Sequence, residues 1–331
     1  MNFQELGATA AKSDTMARPV VKGRHLQYDA DFAAYEVSDL EESVATCYRR
    51  LLEHIEMKRV LAGAEHVNAV LTLGQKSGRE GMATVKPYQL NRDPDAPIKV
   101  RVRELRHMLA NSQTLPKNIS AIHHPMYEAD DVLCRLQNER VKEHGIDSSV
   151  IMSGDKDLWM VLGWHCDQKT GKLNFAKGYG VTEYREVGNV KPKLVGEGRS
   201  WFWHQMIMGD KADNIPGLPK LDNSDMDIYL PLKGGKPRKA GSTACGEAKA
   251  VAILEGVNNE AEAARRVYQL YWNYYGGKAS EMFIEQAYLL WMQRDNNPWD
   301  VLKYLEAKGL NLQPSERQRK VVEGFKELCA S

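Results

Sequence analysis

Short apolar runs alternate with longer stretches of helical periodicity over the first half of the chain. The apolar runs predict strands at residues 24–28, 66–73, 119–123 and 149–153. The stretches between them predict helices at 38–62, 98–111 and 128–144. Ser38 is the expected N-cap of the first of these helices. Strands that alternate with helices are typical of a parallel sheet covered by helices, so the pattern predicts an α/β fold.

The second half of the chain has a different pattern, in which helical periodicity predominates. It predicts helices at residues 201–208, 244–254 and 260–275, with a turn at 213–217. The polar, Ala-rich start of the chain predicts a loosely held arm. We therefore expect three parts, which are a flexible arm at 1–23, an α/β domain at 24–199 and a mostly helical domain at 200–331.

Composition and charge narrow the class of protein. Hydrophobic residues make up 43% and charged residues 27% of the 331 residues, as in a soluble globular protein. The net charge is only +1, but residues 76–106 carry eight basic and four acidic side chains. Residues 229–245 carry four basic side chains and no acidic one. Such patches favour a polyanionic ligand, and two solvated loops are the alternative interpretation.

Cysteine spacing and hydropathy indicate the cellular compartment in which the protein is expected. The five cysteines have neither zinc-site nor redox-motif spacing, which favours a reducing, intracellular compartment. No apolar run approaches the ~18 residues that are needed to span a bilayer. Residues 1–19 lack the apolar stretch of a secretory signal. We therefore expect a cytoplasmic protein.

Acidic residues fall in four short clusters, and each cluster lies beside an apolar run. The eight carboxylates are Asp29, Glu128, Asp130, Asp131, Asp155, Asp157, Asp210 and Asp213. Three of the clusters follow predicted strands, and the carboxyl ends of parallel strands meet at one edge of a sheet. Acids this close repel one another unless a cation lies between them. We therefore expect the clusters to gather at one place and to hold metal.

The chemistry of these ligands selects the ion. Ligation by oxygen alone favours Mg²⁺ or Mn²⁺ over zinc. Eight acids are too many for one octahedral ion, whereas two ions about 4 Å apart would use them. Two such ions suit the in-line cleavage of a phosphodiester bond, with water as the nucleophile.

Five stretches, taken together and in this order, resemble the flap endonuclease and 5′–3′ exonuclease superfamily, and look closest to the phage-type 5′ exonucleases. The resemblance covers roughly residues 24–256. The matching stretches are Tyr28-Asp29-Ala30-Asp31, Tyr88-Gln89-Leu90-Asn91-Arg92, Pro125 to Val132, Val150 to Leu158, and Gly209-Asp210-Lys211-Ala212-Asp213-Asn214-Ile215-Pro216-Gly217.

The resemblance implies a fold and a reaction. The fold would be a PIN-like nuclease domain, a parallel sheet flanked by helices, followed by a helical region with a helix–three-turn–helix DNA-binding element. The reaction would be metal-dependent hydrolysis at the 5′ ends or flaps of duplex DNA, with removal of RNA primers in phage-type replication. The expected partners are duplex DNA, RNA/DNA hybrid and replication proteins, and the expected state is a monomer.

The resemblance also assigns roles to single residues. Asp29, Glu128, Asp130 and Asp131 would serve mainly one Mg²⁺ or Mn²⁺, and Asp155, Asp157, Asp210 and Asp213 mainly the second. Arg79 and Arg92, with Lys86, would lie near the scissile phosphate. In the family the helix–three-turn–helix element often holds a K⁺ ion. Further DNA contacts are expected from Tyr88, Arg101, Arg103, Lys233, Lys236, Arg238, Lys239, Gly246 and Lys249.

Three departures from the family pattern leave alternatives open. The stretch at Gln75 lacks the acid that usually follows the second strand, and Gln89 replaces a lysine. An insertion at 219–242 splits the helix–three-turn–helix element, and it either extends the DNA contact, docks a replication partner or is a solvated loop. A non-catalytic binder of branched or 5′-ended DNA is therefore the second hypothesis. A PIN-type ribonuclease is the third.

Overall fold

The computed structural model describes residues 18–74, 76–90, 96–187, 190–230, 232 and 235–330. The predictions for Gln75, Arg92 and Lys233, and most of the predicted arm, lie outside the described residues. The chain divides into two compact units. Unit 1 comprises Met1–Ser77, Asp93–Leu158 and Leu162–Ala176, and unit 2 comprises Gly78–Arg92, Trp159–Val161 and Lys177–Ser331.

The helices, numbered in chain order over both units, are short to medium in length. They are α1 Ala30–Glu36, α2 Val44–Leu61, α3 Arg79–Met82, α4 Pro97–Ala110, α5 Ala129–His144, α6 Arg199–Met208, α7 Asn223–Tyr229, α8 Glu247–Leu254, α9 Glu260–Tyr275, α10 Ala279–Leu290, α11 Asp300–Ala307 and α12 Glu316–Ala330. Short 3₁₀ turns lie at Ile146–Ser148, Lys156–Met160 and Gly276–Lys278.

Unit 1 is built on a six-stranded sheet. Its strands are β1 Val21–Asp29, β2 Ala64–Leu71, β3 Ile119–His123, β4 Ser149–Met152, β5 Gly163–Cys166 and β6 Leu173–Ala176. They lie in the order β3-β2-β1-β4-β5-β6. The first five are parallel to their neighbours, and β6 runs antiparallel to β5. The predicted parallel sheet with flanking helices is thus confirmed, although β5 and β6 were not predicted.

The central strand β1 is buried on both faces, as is usual for strands of parallel sheets. Leu26, Gln27 and Tyr28 are fully buried in succession. Gln27 donates to Ser149 Oγ (3.0 Å) and accepts from Asn68 Nδ2 (2.9 Å), so its polar side chain ties β1 to both neighbouring strands. The apolar core of unit 1 packs α1, α2 and α4 against the sheet.

The helix predicted at 38–62 is present as α2, but it begins at Val44, and a separate helix, α1, precedes it at Ala30–Glu36. Asp29 caps α1, and Ser43, which accepts a hydrogen bond from the Thr46 amide (3.1 Å), caps α2. The Ser38 hydroxyl instead donates to the carbonyl of Ala34 (2.6 Å) at the end of α1. The Ser38 hydroxyl is therefore engaged at the end of α1, and it does not cap α2.

Unit 2 is mostly helical, as predicted, but it contains two small antiparallel sheets that were not predicted. One pairs β7 Val181–Val187 with β8 Val190–Glu197, and the other pairs β9 Lys220–Asp222 with β10 Ser242–Ala244. The insertion at 219–242 therefore contains β9 and α7. Gly246 is the N-cap of α8 and does not lie inside that helix, because Ala244 belongs to β10.

The length and hydropathy of each helix decide whether it could cross a membrane. Over the part of the chain that the structure describes, every helix is too short or too polar to traverse a lipid bilayer.

Candidate metal centre

Asp29 ends strand β1 and begins helix α1, and its side chain is only 7% exposed. Its carboxylate accepts hydrogen bonds from the Phe32 amide (3.1 Å) and the Ser153 hydroxyl (2.7 Å). Burial, together with the negative charge of Asp31, raises the pKa of Asp29 to about 6. The central strand therefore ends in a carboxylate whose charge is poorly solvated.

Asp31, the next acid, is held by cationic and amide donors. It lies 2.9 Å from Arg106 Nε of α4 and accepts from the Thr72 amide (3.0 Å) after β2. Burial raises its pKa, and the charge of Arg106 opposes that shift. Sequence reasoning assigned Arg106 no role, although a basic helix after an acidic strand end could have suggested this ion pair.

The amino-terminal end of α5 carries three of the predicted ligands. Glu128 is its N-cap residue, and its amide donates to Ser77 Oγ (3.0 Å). The same Ser77 hydroxyl donates to Asp131, which is fully buried. The next amide, of Ala129, donates to Thr72 Oγ1 (2.9 Å). Two hydroxyl groups that follow strand β2, those of Thr72 and Ser77, therefore orient this helix end.

Asp130 shows that acids from separate elements come together. Burial raises the pKa of Asp130 well above its ordinary value, and the neighbouring charges of Asp155, Asp29, Glu128 and Asp131 raise it further. These five acids follow β1, β3 and β4, and the charges of the other four act on Asp130. Their role as metal ligands stays a prediction.

Asp155 and Asp157 lie in the turn after β4. The Asp155 amide donates to Ser153 Oγ (2.9 Å), the same hydroxyl that donates to Asp29. Asp155 Oδ1 accepts from the Asp157 amide (2.8 Å), and Lys156 Nζ lies 3.0 Å from Asp157 Oδ1. Asp157 thus has a basic neighbour on its own turn, whereas Asp155 contributes its charge to the field at Asp130.

The donor set fits a hard divalent cation in its chemistry, because five carboxylates repel one another and have oxygen ligands to offer. The positions of these side chains fit an ion less well than their chemistry does. Within the described residues, no three acidic, histidine or cysteine side chains are placed so that they could hold an ion as they stand. Binding an ion would therefore require local movement of these side chains.

Asp210 and Asp213, the other two predicted ligands, lie in a tight turn of unit 2. Asp210 is buried and accepts from the Ala212 amide (2.8 Å), and its main chain pairs with Ile215 in both directions. The turn is closed by Gly209 and Gly217, whose φ angles are +71° and +63°. A Cβ at Gly209 would lie 2.3 Å from the Ile215 carbonyl oxygen, so only glycine fits there.

Asp213 has partners in the segment at 88–90. Its Oδ1 accepts from Gln89 Nε2 (3.0 Å), and its Oδ2 lies 3.4 Å from the Tyr88 hydroxyl. Tyr88 is buried, so its ring packs inside the protein in this conformation. Asn214 donates to the Pro87 carbonyl (2.8 Å).

The predicted cationic contacts divide into engaged and exposed side chains. Arg79 is 2% exposed and donates to the Trp291 carbonyl (2.8 Å). Arg101 donates to the carbonyls of Asp39 (2.6 Å) and Glu42 (2.9 Å). Lys86 and Arg103 are exposed.

The predicted cationic residues in the insertion at 219–242 and just after it also divide into engaged and exposed side chains. Arg238 pairs with Asp227, and Lys249 donates to Thr243 Oγ1 and the Ala244 carbonyl. Lys236 and Lys239 are exposed.

Solved structures share this architecture. A bacteriophage T5 5′-exonuclease with bound divalent metal ions (zinc) aligns over 92% of this chain and 99% of its own, with a TM-score of 0.51 and 14% identity. The chain has the fold of a phage-type 5′ exonuclease. A bacteriophage T5 flap endonuclease in complex with DNA and metal ions aligns over 93% of this chain and all of its own, with a TM-score of 0.51 and 10% identity.

Curated relatives confirm the resemblance to 5′–3′ exonucleases that the motifs indicate. DNA polymerase I of Caldicellulosiruptor bescii is 31% identical over 157 residues, which are 47% of this chain and 17% of the polymerase. A 5′-3′ exonuclease of Buchnera aphidicola is 27% identical over 157 residues, 45% of this chain and 44% of the relative. A 5′-3′ exonuclease of Halalkalibacterium halodurans is 33% identical over 103 residues, 29% of each chain. The matches thus span less than half the length of these relatives. No family model matches the chain.

Proposed function

We propose that this chain is a metal-dependent 5′ nuclease that hydrolyses phosphodiester bonds at the 5′ ends or flaps of duplex DNA. The observation that carries the proposal is the electrostatic environment of Asp130, whose pKa is raised by burial and raised further by the charges of four neighbouring acids. Such repulsion lowers stability unless a cation offsets it, and perturbed acids gather at functional sites. The relatives named 5′-3′ exonuclease support the reaction class.

The residues of unit 1 would hold the ion. Asp29, Glu128, Asp130, Asp131 and Asp155 supply hard oxygen ligands, and Asp157 lies on the same turn as Asp155. When bound, a divalent ion promotes ionisation of water and stabilises charge on the leaving oxygen. We further propose that two ions bind at this site and that the metal is Mg²⁺.

Hydroxyl groups would position the carboxylates for that task. Ser153 connects Asp29 with the main chain at Asp155. Ser77 connects Asp131 with the main chain at Glu128. These bonds orient acids from different elements before the ion binds, so less ordering is required on binding.

Product mapping tests the proposal. Blunt, nicked and 5′-flap duplexes with a 5′ label would be incubated with Mg²⁺ or with EDTA. We expect short 5′ products in the reactions that contain Mg²⁺ and none in the reactions that contain EDTA. An RNA–DNA hybrid and single-stranded RNA in the same assay test primer removal and the ribonuclease alternative.

A second candidate function is non-catalytic binding of branched or 5′-ended DNA. It is favoured by the absence of a ready ligand cage among the described residues and by the bond of Gln89, in place of the family lysine, to Asp213. Binding of flap DNA without products in Mg²⁺ or Mn²⁺ would support this candidate. The K⁺ ion, the replication partners and the monomeric state stay predictions.

A further inference from the structure

An irregular segment of unit 2, residues 83–90, follows the single turn of helix α3 and has no helix or strand of its own. Backbone groups in such a segment need partners from elsewhere. The amides of Thr84 (3.0 Å) and Val85 (3.2 Å) both donate to Glu285 Oε1 of α10, and the Thr84 hydroxyl donates to the other oxygen. Glu285 is 1% exposed. One buried carboxylate therefore satisfies three donors of the segment.

Arg317 of α12 holds the preceding turn. Its guanidinium donates to the carbonyls of Gly81 (3.1 Å) and Met82 (3.0 Å). Its Nη2 also lies 3.6 Å from Glu285 Oε2. Arg317 and Glu285 therefore bind opposite sides of one bend. Arg317 binds the carbonyls that precede the bend, and Glu285 binds the amides that follow it.

The charges of this pair suit a clamp better than they suit core packing. An apolar side chain could fill the volume of Glu285, but it would leave the amides of Thr84 and Val85 without an acceptor. Hydrogen bonds to ionised groups are shorter and stronger than neutral ones. The pair thus restricts the conformation of a segment that otherwise lacks regular structure.

We propose that Glu285 and Arg317 are positioning residues, which fix the segment so that the exposed Lys86 presents its ammonium group to a phosphate of the DNA substrate. Lys86 directly follows Val85, the last residue that the Glu285 side chain holds. A bend that is free to change would spread the ammonium group over many positions and weaken each phosphate contact. The inference rests on the proposed function for the identity of the ligand, but the clamp itself does not.

The test uses the full chain with Glu285→Leu, which removes both acceptor oxygens, and Glu262→Leu as the matched control. Glu262 lies on α9, and its carboxylate pairs with Arg266 (2.6 Å). Hydrogen exchange at Thr84 and Val85 should rise at least about tenfold in Glu285→Leu and stay unchanged in the control. The kcat/KM for 5′-flap DNA should fall roughly tenfold, mostly through KM.

A double-mutant cycle separates positioning from general destabilisation. In a Lys86→Ala background, Glu285→Leu should lower kcat/KM by less than about twofold, because the group that Glu285 positions is gone. Arg317→Gln, at a residue whose side chain is 38% exposed, gives a second variant of the clamp in case Glu285→Leu does not fold. It should show the same non-additivity.

Each outcome of these experiments tests one part of the inference. Unchanged exchange at Thr84 and Val85 in Glu285→Leu would overturn the clamp, and multiplicative effects of Glu285→Leu and Lys86→Ala would overturn positioning through Lys86. A wild-type protein that neither cleaves nor binds duplex DNA would refute the proposed function and the assignment of Lys86 to DNA. The exchange measurement would then still decide the clamp.

Discussion

Gln89 and Asp213 are joined twice, because the Gln89 side-chain amide donates to Asp213 Oδ1 (3.0 Å) and its main-chain amide donates to the Asp213 carbonyl (3.0 Å). Gln89 and the neighbouring Asn214 both have positive φ, at 54° and 59°. Residues other than glycine adopt this conformation only when their surroundings require it. The glutamine that stands where the family has a lysine therefore has a defined structural partner.

The first prediction concerns this pair. Gln89→Ala should lower the free energy of unfolding by about 1 kcal/mol, because it removes the hydrogen bonds that the Gln89 side chain donates to Asp213 Oδ1 and to the Tyr88 hydroxyl. Urea denaturation measures the change. Gln269→Ala, which removes an exposed bond to Asn273 on α9, is the control and should change stability by less than about 0.5 kcal/mol. Equal losses in the two variants would show that the Gln89–Asp213 contact is not specific.

The second prediction concerns Asp130. Asp130→Asn should raise stability in EDTA, because it removes one of five repelling charges. The same substitution should lower Mg²⁺-dependent cleavage by about 100-fold or more, because a ligand is lost. Glu139→Gln, an exposed acid on the same helix, should change neither property. Full activity of Asp130→Asn would contradict the metal role.

The third prediction follows from the pKa of Asp29, which burial and Asp31 raise from 3.8 to about 6. The folded state binds the proton more tightly than the unfolded state, so the contribution of Asp29 to stability is complete below pH 3.8 and is lost as the pH rises through about 6. Asp29→Asn should abolish this loss in thermal melts in EDTA. Added Mg²⁺ should raise the melting temperature more at pH 7.5 than at pH 5, where protons compete. Equal shifts at both values would contradict a role for Asp29 as a ligand.

The fourth prediction concerns His25, whose pKa is lowered to about 4 by burial, assisted by the charges of Arg140 and His66. Its ring lies 4.9 Å from that of His66. The unfolded state binds the proton more tightly here, so stability falls as the pH drops from 6.5 towards 4. His25→Gln should flatten this fall in urea titrations at several pH values. A slope identical to that of the wild type would contradict the assignment. The sign is opposite to that for Asp29, so the two variants separate the contributions.

The fifth prediction concerns the exposed lysines of the insertion. Lys236→Gln with Lys239→Gln should reduce the slope of log K against log salt for duplex DNA by about 2, since each phosphate contact contributes about 0.9. Arg238, which pairs with Asp227, should contribute less than either lysine. Lys326→Gln on α12 is the control. An unchanged slope would assign the insertion to a role other than DNA contact.

Local patterning accounts for much of the fold. The strand at 119–123 and the helix at 260–275 were predicted with the bounds that the structure shows, and the other strands of the β1 to β4 set were within two or three residues. These elements depend on apolar spacing and flanking polar residues, which are visible in the chain itself. The hairpin of β7 and β8 was missed, because its residues carry mixed polar patterning and its stability comes from pairing across strands.

The sequence by itself determined which elements form and which acids follow the strands of unit 1, because both depend on neighbours along the chain. Only the tertiary structure decided which donors meet those acids. Ser77 lies 54 positions from Asp131, and Ser153 lies 124 positions from Asp29. It also decided that Arg79 is buried against the Trp291 carbonyl, 212 positions away. Partners at such separations are set by how the elements pack, and no local periodicity encodes that packing.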